Sequence, residues 1–138
     1  MVIEKLDYGK DLISEIEKVC KRRNIKTGWF NAIGALKNVT YGFYDQKLKE
    51  YKKFSHKNPC EITSCIGNVS ILEDKIFVHA HINFADEKGN VKGGHLYKGD
   101  IFAAEVVISP YDKILERKFD EITGLKLWDF DIGNVKDK

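Results

Sequence analysis

The sequence predicts an α+β fold: a single compact domain in which a mainly antiparallel, curled sheet packs with one main N-terminal helix. Two observations predict it. Apolar residues recur at helical spacing in one stretch only, Lys10 to Arg23. Nearly everything after that stretch consists of runs rich in β-branched and aromatic residues, broken by Gly, Asn, Asp and Pro. With 138 residues, 43% hydrophobic and 32% charged, the chain is long enough for one core and ordinary for a globular domain.

Residues 1–8 alternate weakly and predict a short first strand. In the helix, Leu12, Ile13, Ile16, Val19 and Cys20 form the apolar stripe, with Glu15, Glu17, Lys18, Lys21 and Arg22 between them. The cations gather at the C-terminal end, where the helix dipole favours them. Cys20 lies on the stripe and reads as core. The strand segments that follow are WFNAIGAL, NVTYGFYD, EYKKFS, CEITSCIGNVSIL, KIFVHAHINFA, DIFAAEVVIS and ILERKFDEI. Cys60 and Cys65 stand an odd number of positions apart, which puts them on opposite faces of a continuous strand and argues against a shared metal site. Tyr41, Phe43, Tyr44, Tyr97 and Phe102, at strand spacing, read as core, and His56, near a loop proline, reads as surface. The domain is expected to span residues 1–130, with DIGNVKDK, 131–138, as a flexible tail.

The formal net charge is only +2, which argues against a strong sequence-independent grip on DNA. A local basic patch is compatible with that total, and Lys21, Arg22, Arg23, Lys52 and Lys53 are the candidate nucleic-acid contacts. MVIEKLDYGK lacks the apolar segment of a signal peptide, and no apolar run approaches the ~18 residues of a membrane helix. Three cysteines without framework spacing point to reduced thiols. The expectation is a soluble cytoplasmic protein with no membrane partner.

The chemistry concentrates in HAHINFADEKGNVKGGHL, residues 79–95 plus Leu96, which holds three of the four histidines. On a strand, His79 and His81 point to one face, with Cβ atoms roughly 6.5–7 Å apart, while Val78, Ala80 and Ile82 point to the other. DEKGN reads as a tight reversal, so His95 returns level with positions 81 to 83. The two glycines before it allow a close backbone approach. Three converging imidazoles suit a divalent transition metal, with a water or small ligand in a fourth position. Structural polar contacts, or a catalytic histidine without metal, are the alternatives. Glu105 is a candidate outer partner or ligand of the same site, against its reading as an ordinary surface carboxylate.

The same residues carry a family resemblance. GALKNVTYGFYD, then EITSCIGN within CEITSCIGNVSI, then VHAHINFADEKGNVKGGHLYKGDIFAAEVVI resemble the plant-and-prokaryote-conserved (PPC) domain, from about residue 2 to about Trp128. The resemblance implies an α+β homotrimer. It also implies metal binding through His79, His81 and His95, and candidate DNA binding in the prokaryotic members; zinc is the first expected ion for such a site and iron the second. Plant members carry an AT-hook, and no RGRP-like run occurs in this sequence. Where the plant members place basic and aromatic residues of a protein-contact motif, Asn58, Pro59 and Cys60 stand here.

The expected function is therefore a homotrimeric regulatory protein with a three-histidine metal site, contacting itself and, weakly, DNA. The alternative is a metal-dependent enzyme acting on an unknown small molecule, since a metal with an open position is a Lewis acid. Ser64, Ser70 and Ser109 lack the context of an activated nucleophile, and no glycine-rich phosphate loop precedes a helix. A scaffold whose metal only stitches strands together is the third reading.

Overall fold

The amphipathic stripe forms α1, Leu12–Arg22, in a computed structural model of the chain that describes residues 1–129. The tail expected at 131–138 lies outside the described residues. Asp11 caps the helix, its carboxylate accepting from the Ser14 N–H at 3.0 Å, and its other oxygen accepts the Gly99 N–H at 3.0 Å. One side chain thus starts the helix and ties it to the sheet. Asn24, at φ +53°, ends it, and Ile25 N–H donates back to the Cys20 carbonyl. Leu12, Ile16, Val19 and Cys20 are buried, so the cysteine belongs to the core as expected.

Six strands build the main sheet: β1 (Val2–Leu6), β2 (Gly28–Asp45), β3 (Glu50–His56), β4 (Cys60–Leu72), β5 (Lys75–Ala85) and β6 (Val91–Pro110). Their order is β1-β6-β5-β4-β2-β3, and β6 pairs with β2 as well. The ladders are antiparallel. Since β2 pairs with β4, β4 with β5, β5 with β6 and β6 with β2, these four strands close a circuit. That closure is the predicted curl. The interior is filled by Phe30, Leu36, Ile82, Phe84, Leu96 and Ile101, all 1% exposed or less, and α1 packs against β1, β5 and β6. A two-stranded hairpin, β7 (Arg117–Phe119) with β8 (Lys126–Trp128), follows β6.

Bulges account for the places where the strand pattern misleads. WFNAIGAL and NVTYGFYD are one strand, because register shifts around Leu36 and Asn38 let Lys37 swing out without ending it. Leu36 and Val39, three apart, both face the core. Cys60 and Cys65 are likewise both buried, against the expectation of opposite faces. A register shift between Ile62 and Ser64 changes the phase of β4. ILERKFDEI is strand only over Arg117–Phe119, and Ile122 is 84% exposed. No helix among the described residues is long and apolar enough to cross a membrane.

Candidate metal centre

β5 alternates as its composition dictates. Val78, Ala80, Ile82 and Phe84 are buried, which sends His79 and His81 to the other face. The turn after it is built by Asp86, whose carboxylate accepts the N–H groups of Lys88 and Asn90 at 2.9 Å each, with Gly89 at φ +81°. The returning strand then pairs His81 with His95 and Ile82 with Gly94.

Gly94 is required by crowding from the far side. At this point β6 lies against β2, where Gly42 is in register with His95. A Cβ on Gly94 would sit 2.3 Å from the Gly42 carbonyl oxygen, and its φ is +155°. The paired glycines thus bring His95 in close between two strands.

The three imidazoles converge. One nitrogen from each of His79, His81 and His95 lies within 4.8 Å of the others. The ring centroids are 5.2 Å apart for His79 and His81, 5.3 Å for His79 and His95, and 5.8 Å for His81 and His95. Two nitrogens on one tetrahedral zinc stand about 3.3 Å apart, a spacing that small ring rotations reach from here. Burial, then the neighbouring His95, Arg117 and His81, push the His79 pKa down to about 4; burial, then His81 and Lys53, do the same to His95. Both rings are therefore neutral at pH 7, with lone pairs to offer. Among the described residues the buried Nδ1 of His95 has no hydrogen-bond partner, a state that costs free energy until something occupies it. This donor set fits a divalent transition metal.

Aromatic rings hold His95 in place. Tyr51 and Tyr97 each lie 4.8 Å from it, centroid to centroid. On one side of the cluster is a cavity of about 260 Å³ bordered by Tyr51, Phe77, His79, His95, Arg117 and the 124–127 segment. On the other, a cleft of about 290 Å³ runs past Trp29, Ile66 and Asn68 to His79 and His81. Tyr51, Asn68 and Arg117 escape the sequence reading. Tyr51 comes from β3 and Arg117 from β7, and neither strand announces in its composition that it reaches this cluster.

Other expectations change. Glu105 is not part of the cluster: it lies exposed in register with Lys5 of β1 and Ile33 of β2, ten residues along β6 from His95, about 33 Å of strand. His56 is half-buried against Phe84, at 5.2 Å, rather than a surface residue. Phe43 and Phe102 are 60% exposed rather than core. The basic residues fall into two places, the end of α1 and β3. Arg22 and Arg23 both pair with Glu4, at 3.3 and 2.6 Å, and Lys52 pairs with Asp45 at 2.9 Å. Lys53 lies over the Tyr97 ring at 4.2 Å.

Comparison with known proteins gives a consistent picture. The Plants and Prokaryotes Conserved (PCC) domain matches residues 1–112. A metal-containing protein from Archaeoglobus fulgidus is 42% identical, with 94% of this chain and 92% of that one covered and a TM-score of 0.89. A plant- and prokaryote-conserved (PPC) protein from Pyrococcus horikoshii is 38% identical, covering 94% and 90%, with a TM-score of 0.88. A candidate DNA-binding protein from Bacteroides thetaiotaomicron is 26% identical, covering 93% and 90%, with a TM-score of 0.87. The chain also matches bifunctional protein GlmU of Synechococcus sp. (strain JA-2-3B'a(2-13)), 29% identical over 124 residues, which is 87% of this chain. It spans only 18% of that curated relative's length.

Proposed function

Because the chain belongs to the Plants and Prokaryotes Conserved domain family, we propose that it is a homotrimeric, cytoplasmic metal-binding protein whose divalent ion sits on His79, His81 and His95. The observation that carries this reading is the convergence of three imidazole nitrogens within 4.8 Å. The metal-containing relative at 42% identity supports it. Zinc is the first choice and iron the second, both being ions that imidazole suits. When bound, the ion supplies Lewis acidity. The chain's own residues position it: Tyr51 and Tyr97 fix the His95 ring, and the β5–β6 register sets His81 opposite His95. The test is elemental analysis of untagged protein beside the His79→Ala, His81→Ala, His95→Ala triple variant. We expect about one zinc or iron per chain, lost in the variant. A wild type that stays metal-free after reconstitution sinks the reading.

Weak DNA contact is a second activity, favoured by the candidate DNA-binding relative at 26% identity. It would run through Lys21, Arg22, Arg23, Lys52 and Lys53, with trimerisation adding avidity. Three of these already pair with Glu4 or Asp45, which lowers the number of phosphates they neutralise. The expected affinity is low and falls steeply between 50 and 200 mM salt, by roughly tenfold or more. Anisotropy titrations check it, and binding that ignores salt and survives Lys52→Ala with Lys53→Ala would remove these residues from the account.

A further inference from the structure

Arg117 is a buried charge that no opposite charge meets among the described residues. It is 9% exposed, and its three hydrogen bonds all go to neutral acceptors. Nε donates to the Ser70 hydroxyl at 2.8 Å, one terminal nitrogen to the Lys126 carbonyl at 2.9 Å, and the other to Asn68 Oδ1 at 2.8 Å. The rings of Phe77 and Trp128 flank it at 5.3 and 5.6 Å. Among the described residues no carboxylate pairs with it. A guanidinium carries five N–H donors and does not lose its proton in proteins. Three donors are used here, so one N–H on each terminal nitrogen has no acceptor among the described residues. Buried charges are otherwise paired, because an unpaired one is costly.

The cavity beside it supplies the context. Arg117, His79 and His95 border the same 260 Å³ space, and among the described residues none that lines it is acidic. Lys126 also borders it, although its ammonium reaches Glu73 at 3.5 Å. Burial lowers the Arg117 pKa. A divalent ion on the histidines would add further positive charge to the same wall. Arg117 and the β7–β8 hairpin lie after residue 112, where the family match ends.

We propose that this cavity binds a small organic carboxylate, with Arg117 as its counter-charge and the histidine-bound metal as its second contact. The metal contact rests on the function proposed above; the guanidinium contact stands without it. A carboxylate is the natural complement because its two oxygens match the planar donors of arginine. A volume of about 260 Å³ admits an acid of a few carbons. The ligand completes the hydrogen bonding of the guanidinium and offsets one positive charge of the wall it shares with the histidines.

The test uses the arginines themselves. The chain has only Arg22, Arg23 and Arg117, so side-chain signals of ¹⁵N-arginine-labelled protein can be assigned one by one. Pyruvate, acetate and inorganic phosphate are titrated into the zinc-loaded and the metal-free protein, with zinc content measured on each. We expect pyruvate to shift the Arg117 signal saturably while Arg22 and Arg23 stay still, and to bind roughly tenfold more tightly with zinc present. Arg117→Lys should weaken pyruvate by roughly tenfold or more and leave zinc content unchanged. An Arg117 signal unmoved in zinc-loaded protein up to about 0.1 M pyruvate overturns the proposal. Tighter binding of phosphate overturns the carboxylate assignment. If no zinc is held yet pyruvate still shifts Arg117, the metal reading falls and the arginine site stands.

Discussion

Replacing Gly94 with alanine is expected to cost roughly 2–5 kcal/mol of stability, the sum of overpacking against backbone and an unfavourable φ. The new methyl would meet the Gly42 carbonyl oxygen at 2.3 Å, and backbone on the facing strand has no side-chain freedom with which to yield. β6 must therefore withdraw from β2 at the residue beside His95. Metal affinity should fall with it, by roughly tenfold or more, the usual penalty for displacing a ligating histidine's support. Gly89→Ala makes the comparison clean. Gly89 also has a positive φ, +81°, but nothing lies within 4 Å of its added Cβ. That variant should lose about 1–2 kcal/mol and keep its metal. Urea denaturation and zinc titration of both variants decide the matter, and a Gly94→Ala protein with wild-type stability and full metal would contradict the crowding argument.

Zinc itself should move stability nearly as much. At about a thousand times its Kd, a ligand of the folded state alone adds about 4 kcal/mol. For a chain of this size that is roughly 12–20 °C in Tm. Cys20, Cys60 and Cys65 are buried and free in the folded protein but become exposed ligands once it unfolds, so the shift should fall below that bound. EDTA should reverse it, and the triple histidine variant should show no gain with zinc. A thermal melt identical with zinc and with EDTA would separate the histidines from metal binding altogether.

Local pattern carried most of the fold and part of the site. KIFVHAHINFA and CEITSCIGNVSIL are strands over their full lengths, because alternation and β-branching act over neighbouring residues. The convergence of His95 with His79 and His81 was readable because the reversal between them is short and is closed by Asp86 and Gly89, both visible in the sequence. Bulges were not readable. The polar pair Lys37-Asn38 looks like a break in β2, and only the pairing with β6 shows that the strand continues through it. The partners of the cluster were hidden for a related reason. Tyr51 and Arg117 reach it through contacts between residues far apart in sequence, and Glu105 is carried away by a strand whose length its composition does not mark.

The role of β6 also has a consequence for how the chain is made. It is the partner of β1, β2 and β5, and it closes the circuit of strands. Until Pro110 has left the ribosome, β2 to β5 can exist only as an open sheet in the order β3-β2-β4-β5, with the inward faces of Phe30, Ile82 and Phe84 uncovered. At about 5–20 residues per second, synthesis of the 25 residues between Ala85 and Pro110 takes roughly one to five seconds. During that interval the nascent chain displays its own unpaired strand edges beside a growing stretch of apolar surface. The strand that completes the barrel is thus also the one whose late arrival sets how long a ribosome-associated chaperone has something to hold.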